Sequence, residues 1–133
     1  MEPDSILVIA PPYKWYVKEM SVGLGIRPVV SLSVSEVLEK LRHEQFMAVL
    51  IDYKNIEIDT LDLVLNVRGI DEQIPIIIIG RFEEIGNKQL LESQDNVHLV
   101  TTDKLRKRLW PVLNTICHAQ SKGQHLNLVL CGK

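Results

Sequence analysis

The sequence predicts a three-layer α/β domain, with a parallel sheet held between two layers of helices. Two observations carry this expectation. Five short apolar runs are rich in β-branched residues and lack the alternation of a half-exposed strand: Ile6 to Ala10, Pro28 to Leu32, Met47 to Ile51, Ile74 to Ile79 and Val97 to Val100. Runs apolar at every position fit strands covered on both faces. The stretches between them repeat apolar residues at helical spacing, so strands and helices alternate along the chain. A length of 133 residues suits one domain with one core.

Each element has its own signal. After the first run, Pro11 and Pro12 suit a helix entry, where a missing N–H costs little. Tyr16, Met20 and Leu24, with Val17 beside them, form the inner stripe of the first helix, and Gly23 and Gly25 mark its end. After the second run, Ser33 and Glu36 make an S-x-x-E capping box. Val34, Val37, Leu38 and Leu41 are the stripe of that helix, while Glu39, Lys40 and Arg42 face water. The third helix is expected from about Thr60 to Val67, capped by Asp59 or Thr60, with Leu61, Val64, Leu65 and Arg68 on its period. The fourth run, IPIIIIG, would be aggregation-prone at an open edge and belongs inside the sheet. The fourth helix is the weakest, interrupted by Gly86 and Asn87, with Leu90 and Leu91 buried. The last helix starts near Thr102 or Asp103 and buries Leu105, Leu109, Leu113 and Ile116; Pro111 inside it predicts a kink or break.

Right-handed crossovers put helices on both faces of such a sheet, and five strands fit the flavodoxin-like order 2-1-3-4-5. Residues 1–120 make up this domain. The tail, residues 121–133, stands apart: Ser121 to Gln124 reads as a turn or linker, and LNLVLC as an extra strand or the beginning of a further domain.

Hydrophobic residues make up 46% and charged residues 24%, with a formal net charge of -2. That balance gives no general attraction to nucleic acid or to an anionic membrane, so a partner must be recognised by a local surface. Cys117 and Cys131 form no CxxC pair and read as free thiols in a reducing cytoplasm. No apolar run is long enough to span a bilayer, and the polar start MEPDS is no secretory signal. A cytoplasmic location is expected. His43, His98, His118 and His125 show no metal-ligand spacing, and Gly23 and Gly25 close a helix where a phosphate cradle would follow a strand. No nucleophile–base set stands out, so catalysis is not expected. Lys104, Arg106, Lys107 and Arg108 form a basic cluster, read first as a solvated helix face and second as a site for an acidic partner. Without aromatic interleaving beyond Trp110, nucleic-acid binding is set aside. Trp15, Tyr16 and Trp110 are either packing anchors or interface anchors.

In open parallel sheets, function gathers at the carboxyl ends of the strands. These ends hold Ala10, Pro11 and Pro12; Asp52, Tyr53, Lys54 and Asn55; Gly80, Arg81 and Phe82; and Thr101, Thr102 and Asp103. Asp52 is the only carboxylate at the tip of a central run, where it could be a phosphoryl acceptor, a metal ligand, a helix cap or a plain strand-closing residue.

The order of elements, and FMAVLIDYKN with its strand-terminal Asp, resemble the receiver domains of bacterial response regulators, the CheY-like family, from about Ser5 to Ile116. The resemblance implies that Asp52 is the candidate phosphoacceptor, with a histidine kinase as donor or a fused output domain as partner. It likens Asp59 and the helix start after it to the loop that follows the family's acceptor. It also implies a working surface on the fourth helix, the last strand and the last helix, used for a protein partner or a homodimer. Lys104, Arg108 and Trp110 are the interface candidates there.

The remaining positions depart from the family pattern. Ala10 and Pro11, with Pro12, stand where the family has the acidic pair that holds Mg²⁺; Gly80 stands where it has Ser or Thr; Thr101, with Thr102, stands where it has Lys. Phosphoryl transfer relies on a metal and on cations to offset developing charge. The expectation is therefore a degenerate receiver, or pseudo-receiver, with no metal or cofactor of its own, and Mg²⁺ relevant only if Asp52 is phosphorylated. It would serve as a regulatory module in two-component or transcriptional signalling, acting through protein contacts. Two alternatives stay open: a phosphorylatable receiver with ligands from unexpected positions, and a sensory domain binding a small anion or cofactor above the sheet.

Overall fold

Strand and helix alternate along the whole described chain. The computed structural model describes residues 4–12, 14–52, 59–81 and 88–125, with residues 88 and 117–125 described by their backbone alone. The elements are β1 (Ser5–Ile9), α1 (Trp15–Leu24), β2 (Arg27–Val30), α2 (Val34–His43), β3 (Ala48–Asp52), α3 (Thr60–Ile70), β4 (Ile76–Gly80), α4 (Lys88–Glu92), β5 (Val97–Thr101), a 3₁₀ turn (Thr102–Lys104) and α5 (Leu105–His125). All strand pairs are parallel, in the order β2-β1-β3-β4-β5. This is the flavodoxin-like sheet expected from the sequence. The isoleucine-rich β4 lies inside the sheet, between β3 and β5, with every residue buried.

The alternation of strand side chains sorts the core into two halves. Ile6, Val8, Ala10, Ala48, Leu50, Ile77 and Ile79 point to the face covered by α1 and α5, where Tyr16, Met20, Leu105, Leu109, Leu113 and Ile116 meet them. Leu7, Ile9, Val49, Ile51, Ile76 and Ile78 point to the face covered by α2, α3 and α4, where Val37, Leu63, Val64, Val67 and Leu91 meet them. Continuous apolar runs in sequence are thus the trace of a sheet with no wet face.

Several local expectations need correction. Pro11 and Pro12 lie ahead of α1, in a turn closed by Lys14 N–H donating to the Pro11 carbonyl at 3.3 Å. Leu24 sits at the exposed end of α1, because Gly25 takes the left-handed conformation (φ 66°) and stops the helix there. The α2 capping box is half-formed. The Glu36 N–H donates to Ser33 Oγ at 3.3 Å, but the Ser33 N–H goes to Ser31 Oγ at 3.1 Å. In α3 the cap is Asp59, and the inward stripe is Thr60, Leu63, Val64 and Val67, which leaves Leu65 half exposed. Thr60 is carried inside, where its Oγ1 has no hydrogen-bond partner. Among the described side chains of α4, Leu91 is the buried one, and Leu90 faces out. No break occurs at Pro111: α5 runs through it, with the proline on the exposed side of the helix. The same helix continues through Ser121 to Gln124, which are not a turn. Tyr53, Lys54, Asn55, Phe82, Gly86, Asn87, Cys131 and the LNLVLC stretch lie outside the described residues, as do the side chains of Cys117, His118 and His125. Among the described residues no helix is long and apolar enough to cross a membrane.

Candidate functional site around Asp52

Asp52 closes β3 at the carboxyl edge of the sheet, paired in register with Ile79 of β4. Its parity with Ala48 and Leu50 turns its side chain toward the α1/α5 face, and it is only 6% exposed. A carboxylate buried this far needs partners. It finds them on the chain that leaves β1. The Tyr16 hydroxyl donates to Asp52 Oδ2 at 2.6 Å, a short charge-assisted bond inside the protein. Lys14 Nζ stands 4.0 Å from the same oxygen. Burial first, and then the hydrogen bond and charge of Asp52, hold the Tyr16 phenol far above its ordinary pKa. Tyr16 therefore remains a donor throughout the neutral range.

The same helical turn reaches the last helix. The Trp15 ring lies edge-on to Tyr16, with centroids 5.7 Å apart, and edge-on to Trp110 of α5 at 6.0 Å. The Arg106 guanidinium lies 4.0 Å from the Trp15 ring centre and 3.6 Å from Glu19 Oε2. Trp110 is half-buried in this packing. Lys104 and Arg108 are exposed on the outer side of the turn into α5 and on α5 itself.

The positions singled out in sequence occupy the strand tips. Ala10 follows β1, whose Ile9 pairs with Ile51, so Ala10 is level with Asp52; Ala10 and Pro11 are both buried. Gly80 and Thr101 end β4 and β5 and pair with each other. A cavity of about 540 Å³ opens at those tips, lined by Arg81, Thr101, Thr102, Asp103 and Lys104. Asp52 is not among these lining residues. Sequence reasoning missed Lys14 and Tyr16 as partners of Asp52. The available signal was the K-x-Y spacing at the start of a helix whose inner stripe includes Tyr16.

No protein-family model and no curated protein sequence matches the chain. Solved structures do match in three dimensions. The receiver domain of a sensor histidine kinase from Pseudomonas aeruginosa, with a magnesium ion coordinated in its active site cleft, has a TM-score of 0.67 at 18% identity, covering 85% of this chain and 96% of that one. A response regulator receiver protein from Sinorhizobium medicae has a TM-score of 0.65 at 16% identity, covering 90% and 98%. This chain has the receiver fold. A structure described as adenylate cyclase from Rhodopirellula baltica shares it, with a TM-score of 0.67 at 11% identity over 93% and 97% of the two chains.

Mg²⁺ bound in a receiver fold would need oxygen ligands converging on the acceptor. The described residues do not fit such an ion. Ala10 and Pro11 offer no carboxylate at the β1 tip, and Asp52 Oδ2 is already engaged by a phenol and faced by an ammonium. No group of three His, Cys, Asp or Glu residues gathers among the described residues.

Proposed function

We propose that the chain is a receiver-like signalling domain that works through protein contacts, with Mg²⁺-dependent phosphorylation of Asp52 impaired. The observation that carries this reading is the Tyr16–Asp52 hydrogen bond. It places a neutral donor on one of the two carboxylate oxygens that a metal and an incoming phosphoryl group would share. The departures at Ala10, Pro11, Gly80 and Thr101 support the reading from the other strand tips. The partners are a histidine kinase-linked or fused output module, or a second copy of the chain, met through β5 and α5. Lys104 and Arg108 supply exposed charge there, and Trp110 supplies the packed edge of α5.

The test is exposure to acetyl phosphate, or to beryllofluoride, with Mg²⁺, followed by intact-mass spectrometry and fluorine resonance. No uptake at Asp52 is expected. Uptake that disappears in Asp52→Asn would overturn the reading. The position of Lys14 favours a second reading, in which its ammonium takes over part of the charge-offsetting work of a metal. In that case Asp52 would be phosphorylated without Mg²⁺, and Lys14→Ala would abolish the uptake.

A further inference from the structure

We propose that the Tyr16–Asp52 hydrogen bond is a latch on the seam between α1 and α5, so that whatever engages Asp52 is read out on α5 through Trp15 and Trp110. This rests on the reading of Asp52 as the control point of a signalling domain, and it names how that point is connected.

The geometry argues for a route through α1. Gly80 at the tip of β4 has no hydroxyl that could follow a change at Asp52. Tyr16 does contact the carboxylate, from the first turn of α1, with its ring 1% exposed. Buried side chains are close-packed, so a ring this enclosed moves only with its surroundings. Displacing its hydroxyl from Asp52 must therefore shift the first turn of α1. Trp15 is the adjacent residue on that turn, and its ring is fixed to α5 from two sides: edge-on against Trp110, and under the Arg106 guanidinium. Glu19, one turn further along α1, holds Arg106 from the other end at 3.6 Å. The contacts form one continuous chain from the strand tip to α5: carboxylate, phenol, indole, indole, with the Arg106–Glu19 pair as a brace. Physical contiguity of this kind is a route for coupling when its first link has two arrangements, bonded and released.

The protein carries its own reporter. Its two tryptophans are Trp15 and Trp110, both in the seam. Near-perpendicular indoles at this separation give an exciton couplet in ultraviolet circular dichroism, and their emission depends on the packing of the seam. The experiment compares the wild type with Asp52→Ala, Tyr16→Phe and the double variant, reading the couplet, tryptophan emission and hydrogen exchange along α5. Asp52→Ala substitutes a residue of β3 and none of α1 or α5. Both single variants are expected to weaken the couplet in the same direction. They should speed exchange at the α5 amides facing α1 by roughly tenfold, the scale of one lost charge-assisted hydrogen bond. The double variant should go no further than Asp52→Ala, which already removes the Tyr16 bond together with the Lys14 contact. Asp52→Asn keeps an acceptor oxygen and should retain the couplet; it replaces Asp52→Ala in the comparison with Tyr16→Phe if the alanine variant fails to fold.

A couplet and exchange pattern indifferent to Asp52→Ala, or single effects that simply add, would overturn the latch. In the Asp52→Asn comparison, loss of the couplet in Asp52→Asn or its survival in Tyr16→Phe would do the same. The phosphodonor result is separate. Capture of beryllofluoride at Asp52 with a moved couplet would keep the latch and overturn the impaired-phosphorylation reading. A couplet deaf to Asp52 sinks the latch whichever way phosphorylation turns out.

Discussion

Arg68 gathers four backbone carbonyls with one guanidinium. It donates to Ile74 at 2.6 Å and Asp95 at 2.7 Å, and more weakly to Asn96 and Asp71. This ties the α3–β4 connection to the α4–β5 connection at the amino end of the sheet. The planar fork suits several carbonyls at once, and an ammonium does not. Arg68→Ala is expected to cost about 1–2 kcal/mol in urea unfolding, and Arg68→Lys to recover less than half of it, because the carbonyl of buried Ile74 loses its 2.6 Å donor while the other three acceptors are exposed to water. Sequence periodicity put Arg68 on the helix but could not show this work, since two of its acceptors lie 27 and 28 residues away. Nearby, His98 contacts Asn96 Oδ1 at 3.0 Å, and burial holds its pKa below the ordinary value of 6.5. The unfolded chain then takes up a proton first as pH falls. The stability that His98 contributes is intact above about pH 6.5 and is lost from there downward, until the folded imidazole also protonates. His98→Gln should flatten that part of the stability profile, measured by urea unfolding between pH 7 and pH 5; an unchanged slope would contradict the assignment.

At the scale of elements, α1 carries the most information. Its end is set by Gly25 at φ 66°, with the Gly25 N–H on the Met20 carbonyl and no atom within 4 Å of where a Cβ would sit. Gly25→Ala should therefore cost only the backbone term, about 1–2 kcal/mol, visible as a lower thermal midpoint. Gly23→Ala, inside the helix with an equally open Cβ position and no positive φ, should be neutral or stabilising. Legibility divided along the same line. The phase of α1 was readable, because Tyr16, Val17 and Met20 share one face in any helix. How far α1 sits along the sheet was not, and that distance alone decides whether Tyr16 reaches the tip of β3. Asp52 was legible because a carboxylate ending an apolar run is conspicuous; its partner comes from 36 residues away and from a different element. In α3 the expected stripe slipped because Leu61 and Leu65 are as apolar as Leu63 and Val67, so composition could not choose the face.

At the scale of the molecule, the sheet is covered on both sides, and this made the fold class readable from five apolar runs. The cost of disturbing it should be correspondingly large. Ile78 in β4 is fully buried against the α2/α3/α4 layer, and Ile78→Ala should lose about 2–5 kcal/mol in equilibrium unfolding, a large share of what a domain of this size has. The rims of the sheet follow different rules from its faces. Along β2, the amides of Arg27 and Ser31 turn inward, donating to Asp4 and Val8. By the same alternation, the backbone of Pro28 and Val30 turns outward, and Pro28 has no hydrogen to offer. A sixth column of chain arriving at this border would find scarcely any donors to grip. Filament growth or peptide capture by strand addition is thus disfavoured on the β2 side, where Pro28 removes one of the outward donors, and the helical flanks and the opposite border are better placed for company.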